Sequence, residues 1–150
     1  MLDRSKSVLA AMEVMVAAQP DDAALSSFLA QHLAVVLYAE IEETVAKIIQ
    51  DKFASHMNSE LAEFLTVNMA GIIKRTPKSD INSLVKQFGA AVANRFNGEL
   101  DDRLISFYGN AISARHDVGH RRGSNVTLPE MKTGISAAER ILSALRNCLA

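Results

Sequence analysis

The sequence predicts an all-α domain, a single up-and-down bundle of about five to six helices. Apolar residues recur every three or four positions along most of the chain, and no stretch alternates apolar with polar residues as a half-buried strand would. Alanine, leucine and methionine, all strong helix formers, are plentiful within an apolar content of 49%. Helix breakers are scarce, with 3 prolines and 7 glycines. One domain over residues 1–150 is expected, large enough to bury roughly two-thirds of its unfolded surface.

The first helix is expected over residues 5–19, with Val8, Leu9, Met12, Met15 and Val16 as its stripe and Pro20 as its stop. Asp21 or Asp22 then caps a second helix that reaches about residue 56. Its stripe is Leu25, Phe28, Leu29, Leu33, Val36, Ile41, Val45, Ile48 and Phe53. At roughly 35 residues it would span about 50 Å if straight, so a bend or a dimer contact is expected of it. Asn58 or Ser59 starts a third helix carrying Leu61, Phe64, Leu65, Asn68, Ile72 and Ile73, and the link at residues 74–78 breaks it. A short fourth helix carries Ile81, Leu84, Val85 and Phe88 and stops at Gly89; Val92 and Phe96 suggest one or two further turns before Gly98. The fifth helix runs from about Asp101 to Val118, with Gly119 just past its end. Residues 121–125 read as a basic loop. Thr127, Leu128, Pro129 and Glu130 spell a capping box with proline in the first turn, opening a last helix with Met131, Ile135, Ala138, Leu142, Leu145 and Leu149.

Charge and cysteine content exclude several classes. The net charge is −1, so no global field draws the chain to nucleic acid or membrane, and such binding must come from a local patch. A lone cysteine, Cys148, excludes an internal disulfide and a cysteine-cluster metal site; a buried, inert thiol is expected. No uncharged apolar run of about 18 residues exists, so no transmembrane helix is expected. The N-terminus lacks a clear signal-peptide core, and a cytoplasmic protein is the simplest reading. His32 is expected at the core edge, His56 as a complement to a helix C-terminus, and the methionines as core filler.

One segment breaks the pattern. Leu104, Ile105, Tyr108, Ala111, Ile112 and Val118 share a face of the fifth helix, within a wedge of roughly 140° at about 100° per residue. Arg115 falls near the middle of that wedge. His116 lies about 100° further round, and His120 roughly 40° beyond it. A charge on a core-facing stripe is costly unless paired or facing a cavity. So the stretch is either a buried salt-bridge node, with Glu40, Glu42 or Glu43 as partner, or a site. Arg115, His116, His120, Arg121 and Arg122 place three permanent cations and two imidazoles close together, with Asp117 as the only local acid. Such a cluster suits an anion, phosphate in particular. Histidine can move a proton near neutral pH, and a fixed arginine can stabilise charge on a phosphoryl oxygen. The histidine pair lacks the glutamate of H-E-x-x-H, and no metal or cofactor is expected.

The string SARHDVGHRRG, on the penultimate helix, resembles the R-x-x-x-x-H signature of HEPN domains. The following VTLPEMKTGISAAERILSALRNCL looks like the closing helix of those domains, and FLAQHLAVVLYAEIEETVAKII looks like their long helix, most similar to the RiboL-PSP-HEPN branch. The similarity covers most of the chain from about Asp22. It implies a helical homodimer with its two motifs facing each other across a cleft. Many members are metal-independent endoribonucleases, often toxins or defence effectors. The resemblance implies that Arg115 holds the scissile phosphate of an RNA substrate. His120 would then act as general acid or base, with His116 orienting the pair. Arg121, Arg122 and Tyr108 would contact substrate, and Glu42 and Asp117 would support. The product would carry a 2′,3′-cyclic phosphate. An antitoxin such as a nucleotidyltransferase is a possible partner; no membrane is implied. Gly119 departs from the small apolar residue, often alanine, that commonly precedes the family histidine. The alternative is a non-catalytic HEPN-like dimer that binds RNA, a nucleotide or a partner protein.

Overall fold

The computed structural model describes all residues except 74–75 and 120–125, and leaves the side chains of residues 69–73 and 116–119 undescribed. Its described residues form seven helices and no strand: α1 (Asp3–Ala18), α2 (Ala23–His56), α3 (Ser59–Ile73), α4 (Lys78–Lys86), α5 (Ala90–Gly98), α6 (Asp102–Gly119) and α7 (Leu128–Leu149). The count exceeds the expected five to six. The turns around Val92 and Phe96 form a helix of their own, because Gly89 adopts φ 109°, a left-handed conformation that ends one helix and starts the next. Gly119 lies inside α6 rather than beyond it.

The core is built on α2, α6 and α7, with α1 and α5 flanking α7 and α3 laid along α2. Leu128, Met131, Ile135, Ala138, Leu142, Leu145 and Leu149 recur along α7 at alternating steps of three and four, and all are buried. The small residues Gly134, Ala137 and Ala144 widen that buried face, and Gly134 meets Ala111 of α6. Asp22 caps α2, its side chain accepting from the Leu25 N–H at 2.8 Å. α2 is long and apolar enough, by length and composition alone, to cross a membrane, a property that the core helix of a bundle shares. Its apolar residues follow from its position: it packs on α1, α3, α6 and α7. Several residues expected on core stripes are exposed instead: Met15, Phe28, Leu61 and Phe64. Cys148 is buried as expected, its thiol donating to the Leu145 carbonyl, and burial pushes its pKa up.

Glu40 is a buried carboxylate on α2 whose partners lie on α1. Leu2 begins α1 without a side-chain cap, which leaves first-turn amides without intrahelical acceptors. Glu40 supplies the acceptors, taking the Arg4 N–H at 2.9 Å, the Ser5 N–H at 2.7 Å and the Ser5 hydroxyl. Replacing Glu40 by alanine is expected to cost about 1–2 kcal/mol, the range of a lost N-cap. Urea unfolding checks this, and unchanged stability would refute the cap.

The capping box of α7 forms as the sequence predicts. The Glu130 carboxylate accepts the Thr127 N–H and hydroxyl, both at 2.8 Å, while the Thr127 hydroxyl oxygen accepts the Glu130 N–H. The Thr127 amide, and then its hydroxyl, hold the Glu130 carboxyl below its ordinary 4.5. A depressed carboxyl pKa contributes stability that is present above 4.5 and lost as pH falls through the lowered value. Acidification below about pH 4.5 is therefore expected to narrow the Tm gap between wild type and Glu130→Gln. A gap independent of pH would contradict this.

Candidate functional site: the C-terminal end of α6

The Asp101 side chain accepts the Leu104 N–H at 2.7 Å at the start of α6. Leu104, Tyr108, Ala111, Ile112 and Ala114 then form its buried face. Arg115 follows the same face by angle, yet it is exposed. Its guanidinium carbon lies 4.7 Å from the ring centroid of Tyr38, a half-buried residue of α2. The helical wheel has the direction right and the depth wrong. A long arginine can lay its stem on apolar surface and carry its head outward.

The alternative of a buried salt-bridge node loses its burial on the same ground, since Arg115 is exposed. Glu40 is enclosed and bonded to Arg4 and Ser5, and Glu43 pairs with Arg4 at 3.0 Å. Two of the three proposed partners of Arg115 are thus engaged by α1. Glu42, half-buried, lies one turn from Tyr38 on α2.

Tyr108 does not stand at a surface. It is 1% exposed, and its hydroxyl donates to the Thr76 carbonyl. Burial raises its pKa, with the neighbouring Tyr38 adding to the rise. Its expected role in contacting substrate is corrected: Tyr108 is a core residue beneath the site. His116 and Asp117 sit on the last turn of α6, but their side chains lie outside the described residues. His120, Arg121 and Arg122 lie wholly outside them.

Tyr38 is the site residue that sequence reasoning missed. Nothing in the local pattern of α2 marks it, because its significance comes from the crossing of α2 with α6. Among the described residues, no three His, Cys, Asp or Glu side chains group closely enough to hold a metal ion. His32 is exposed rather than at the core edge. His56 ends α2 as expected, its Nδ1 3.1 Å from the Lys52 carbonyl and 2.6 Å from the Ser55 hydroxyl. A cavity of about 270 Å³ beside it is lined by Ile48, Lys52, Arg146 and Leu149. Lys52 is roughly 20 Å along α2 from Tyr38 at about 1.5 Å per residue, so this cavity is separate from the Arg115 site. No family model, no curated protein and no solved structure matches the chain.

Proposed function

We propose that the chain is a metal-independent endoribonuclease of HEPN type, a toxin or defence effector acting as a homodimer. The supporting observation is the solvent-facing guanidinium of Arg115, seated on Tyr38 one turn before the end of α6. A cation held by its face keeps its in-plane N–H donors for a phosphate. The sequence places His116 on the same last turn and His120, Arg121 and Arg122 just beyond it. In this reading Arg115 holds the scissile phosphate and the charge that builds on it. His120 takes or gives the proton at the ribose 2′-hydroxyl or the leaving 5′-oxygen, with His116 in support. The 2′-oxygen bonds to phosphorus, the phosphorus–5′-oxygen bond breaks, and a proton reaches the 5′-oxygen. Water is not consumed, and a 2′,3′-cyclic phosphate results.

The homodimer and an antitoxin partner belong to the same proposal. Phe28, Phe64 and Val67, at 66%, 61% and 68% exposed, are apolar surface that an assembly would remove from water. The test is incubation of the purified chain with RNA in EDTA, with product ends identified by mass spectrometry and oligomeric state by light scattering. Cyclic phosphate ends from a dimer support the reading. RNA that is bound and left whole would replace it with the binding module.

A further inference from the structure

We propose that Tyr38 is a positioning residue, which presents the guanidinium of Arg115 edge-on to the phosphate; the inference rests on the nuclease reading for its substrate, not for its geometry. The Arg115 carbon lies 4.7 Å from the Tyr38 ring centroid, within the range of a cation–π contact. That contact uses the guanidinium face. All five N–H donors lie in the guanidinium plane, so the stack leaves the bidentate edge available. A carboxylate partner would take that edge instead. Two acids of α2 near Tyr38 are drawn elsewhere: Glu40 caps α1, and Glu43 pairs with Arg4. Among the described residues, none forms an ion pair or hydrogen bond with Arg115.

The platform under the cation is firm. Tyr38 is half-buried on the helix that carries much of the core, next to the enclosed Leu37 and Ile41. The buried Tyr108, tied to the Thr76 carbonyl, packs in the same core. A ring packed against that core cannot follow a mobile side chain, so it limits where the guanidinium can go. An ammonium at position 115 would keep the charge and lose both the stack and the planar edge.

The experiment combines wild type, Tyr38→Phe, Tyr38→Leu, Arg115→Ala and the double variant Tyr38→Leu/Arg115→Ala, each checked for folding by circular dichroism. The probes are a short single-stranded RNA of mixed sequence and its uncleavable 2′-O-methyl counterpart. Tyr38→Phe keeps the ring and is expected to keep the ring contact with Arg115. Tyr38→Leu is expected to lower kcat by roughly two- to fivefold, or about 0.5–1 kcal/mol at ~1.4 kcal/mol per decade, with KM little changed. The same substitution should cost nothing further once Arg115 is alanine. Equal losses in both backgrounds, or no loss in either, would overturn the proposal. A second measurement is independent of cleavage: the Arg115 Nε–H proton resonance should carry a ring-current shift that Tyr38→Leu abolishes. If wild type cuts no RNA yet shows this shift, and Tyr38→Leu weakens 2′-O-methyl RNA binding, the nuclease reading fails and the positioning stands. A wild-type resonance without the shift refutes the positioning, whatever the RNA does.

Discussion

Alanine at position 120 is expected to lower RNA cleavage by about 10²–10⁴-fold, the contribution of a positioned acid or base to a proton-transfer step. Alanine at position 115 is expected to cost about 10²–10³-fold, the range for removing one preorganised donor from a developing oxyanion. Neither change should unfold the chain. Arg115 is exposed, and among the described residues its contact is a stack on Tyr38, worth about 0.5–1 kcal/mol at an exposed site. The two losses are not expected to add, because residues that act on one transition state fail together. Single-turnover cleavage by both variants and their combination, alongside circular dichroism, is the measurement. Full activity in His120→Ala would remove the histidine from the mechanism. Full activity in Arg115→Ala would remove the motif altogether.

The local signals in the sequence were legible because they act over one or two turns. Asp22 caps α2 and Thr127 with Glu130 forms the box of α7, since each needs only its own neighbours. The α7 stripe was legible because one face of that helix is covered along its whole length. Phe28, Leu61 and Phe64 sit at helical spacing too, yet are exposed. A wheel finds a direction and cannot say whether another helix lies in it. Glu40 illustrates the same limit for charge. The sequence offers it to Arg115, and only the crossing of α1 over α2 gives it to the Arg4 and Ser5 amides. The site was half legible: the basic cluster can be read in residues 115–122, while the ring that seats its arginine lies 77 residues earlier. No periodicity argument links positions so far apart.

Gly134 sets how closely α7 approaches α6, and its replacement is expected to destabilise the core. A Cβ there would meet the Ala111 Cβ at 2.5 Å, with the Phe107 carbonyl oxygen at 3.7 Å behind it. Carbon atoms in contact settle at about 3.5–4.0 Å. The Ala111 methyl has no rotamer to escape through, so the two helices would have to part by about 1 Å at that level. Alanine gains up to about 1 kcal/mol over glycine in helix propensity. Overpacking costs about 1–3 kcal/mol and outweighs that gain. Gly134→Val should go further, to about 3 kcal/mol or more, since a branched side chain has no free volume to enter. Chemical denaturation measures both. A decisive control exchanges the pair: Ala111→Gly/Gly134→Ala puts one methyl back into the same space and should recover most of the loss. No recovery would mean that the contact is not what makes Gly134 necessary. The effect reaches the site as well, because Arg115 stands one turn beyond Ala111 on α6. Parting the helices at Ala111 shifts the base of Arg115 relative to Tyr38, so Gly134→Ala should lose RNA cleavage at temperatures where it is still fully folded.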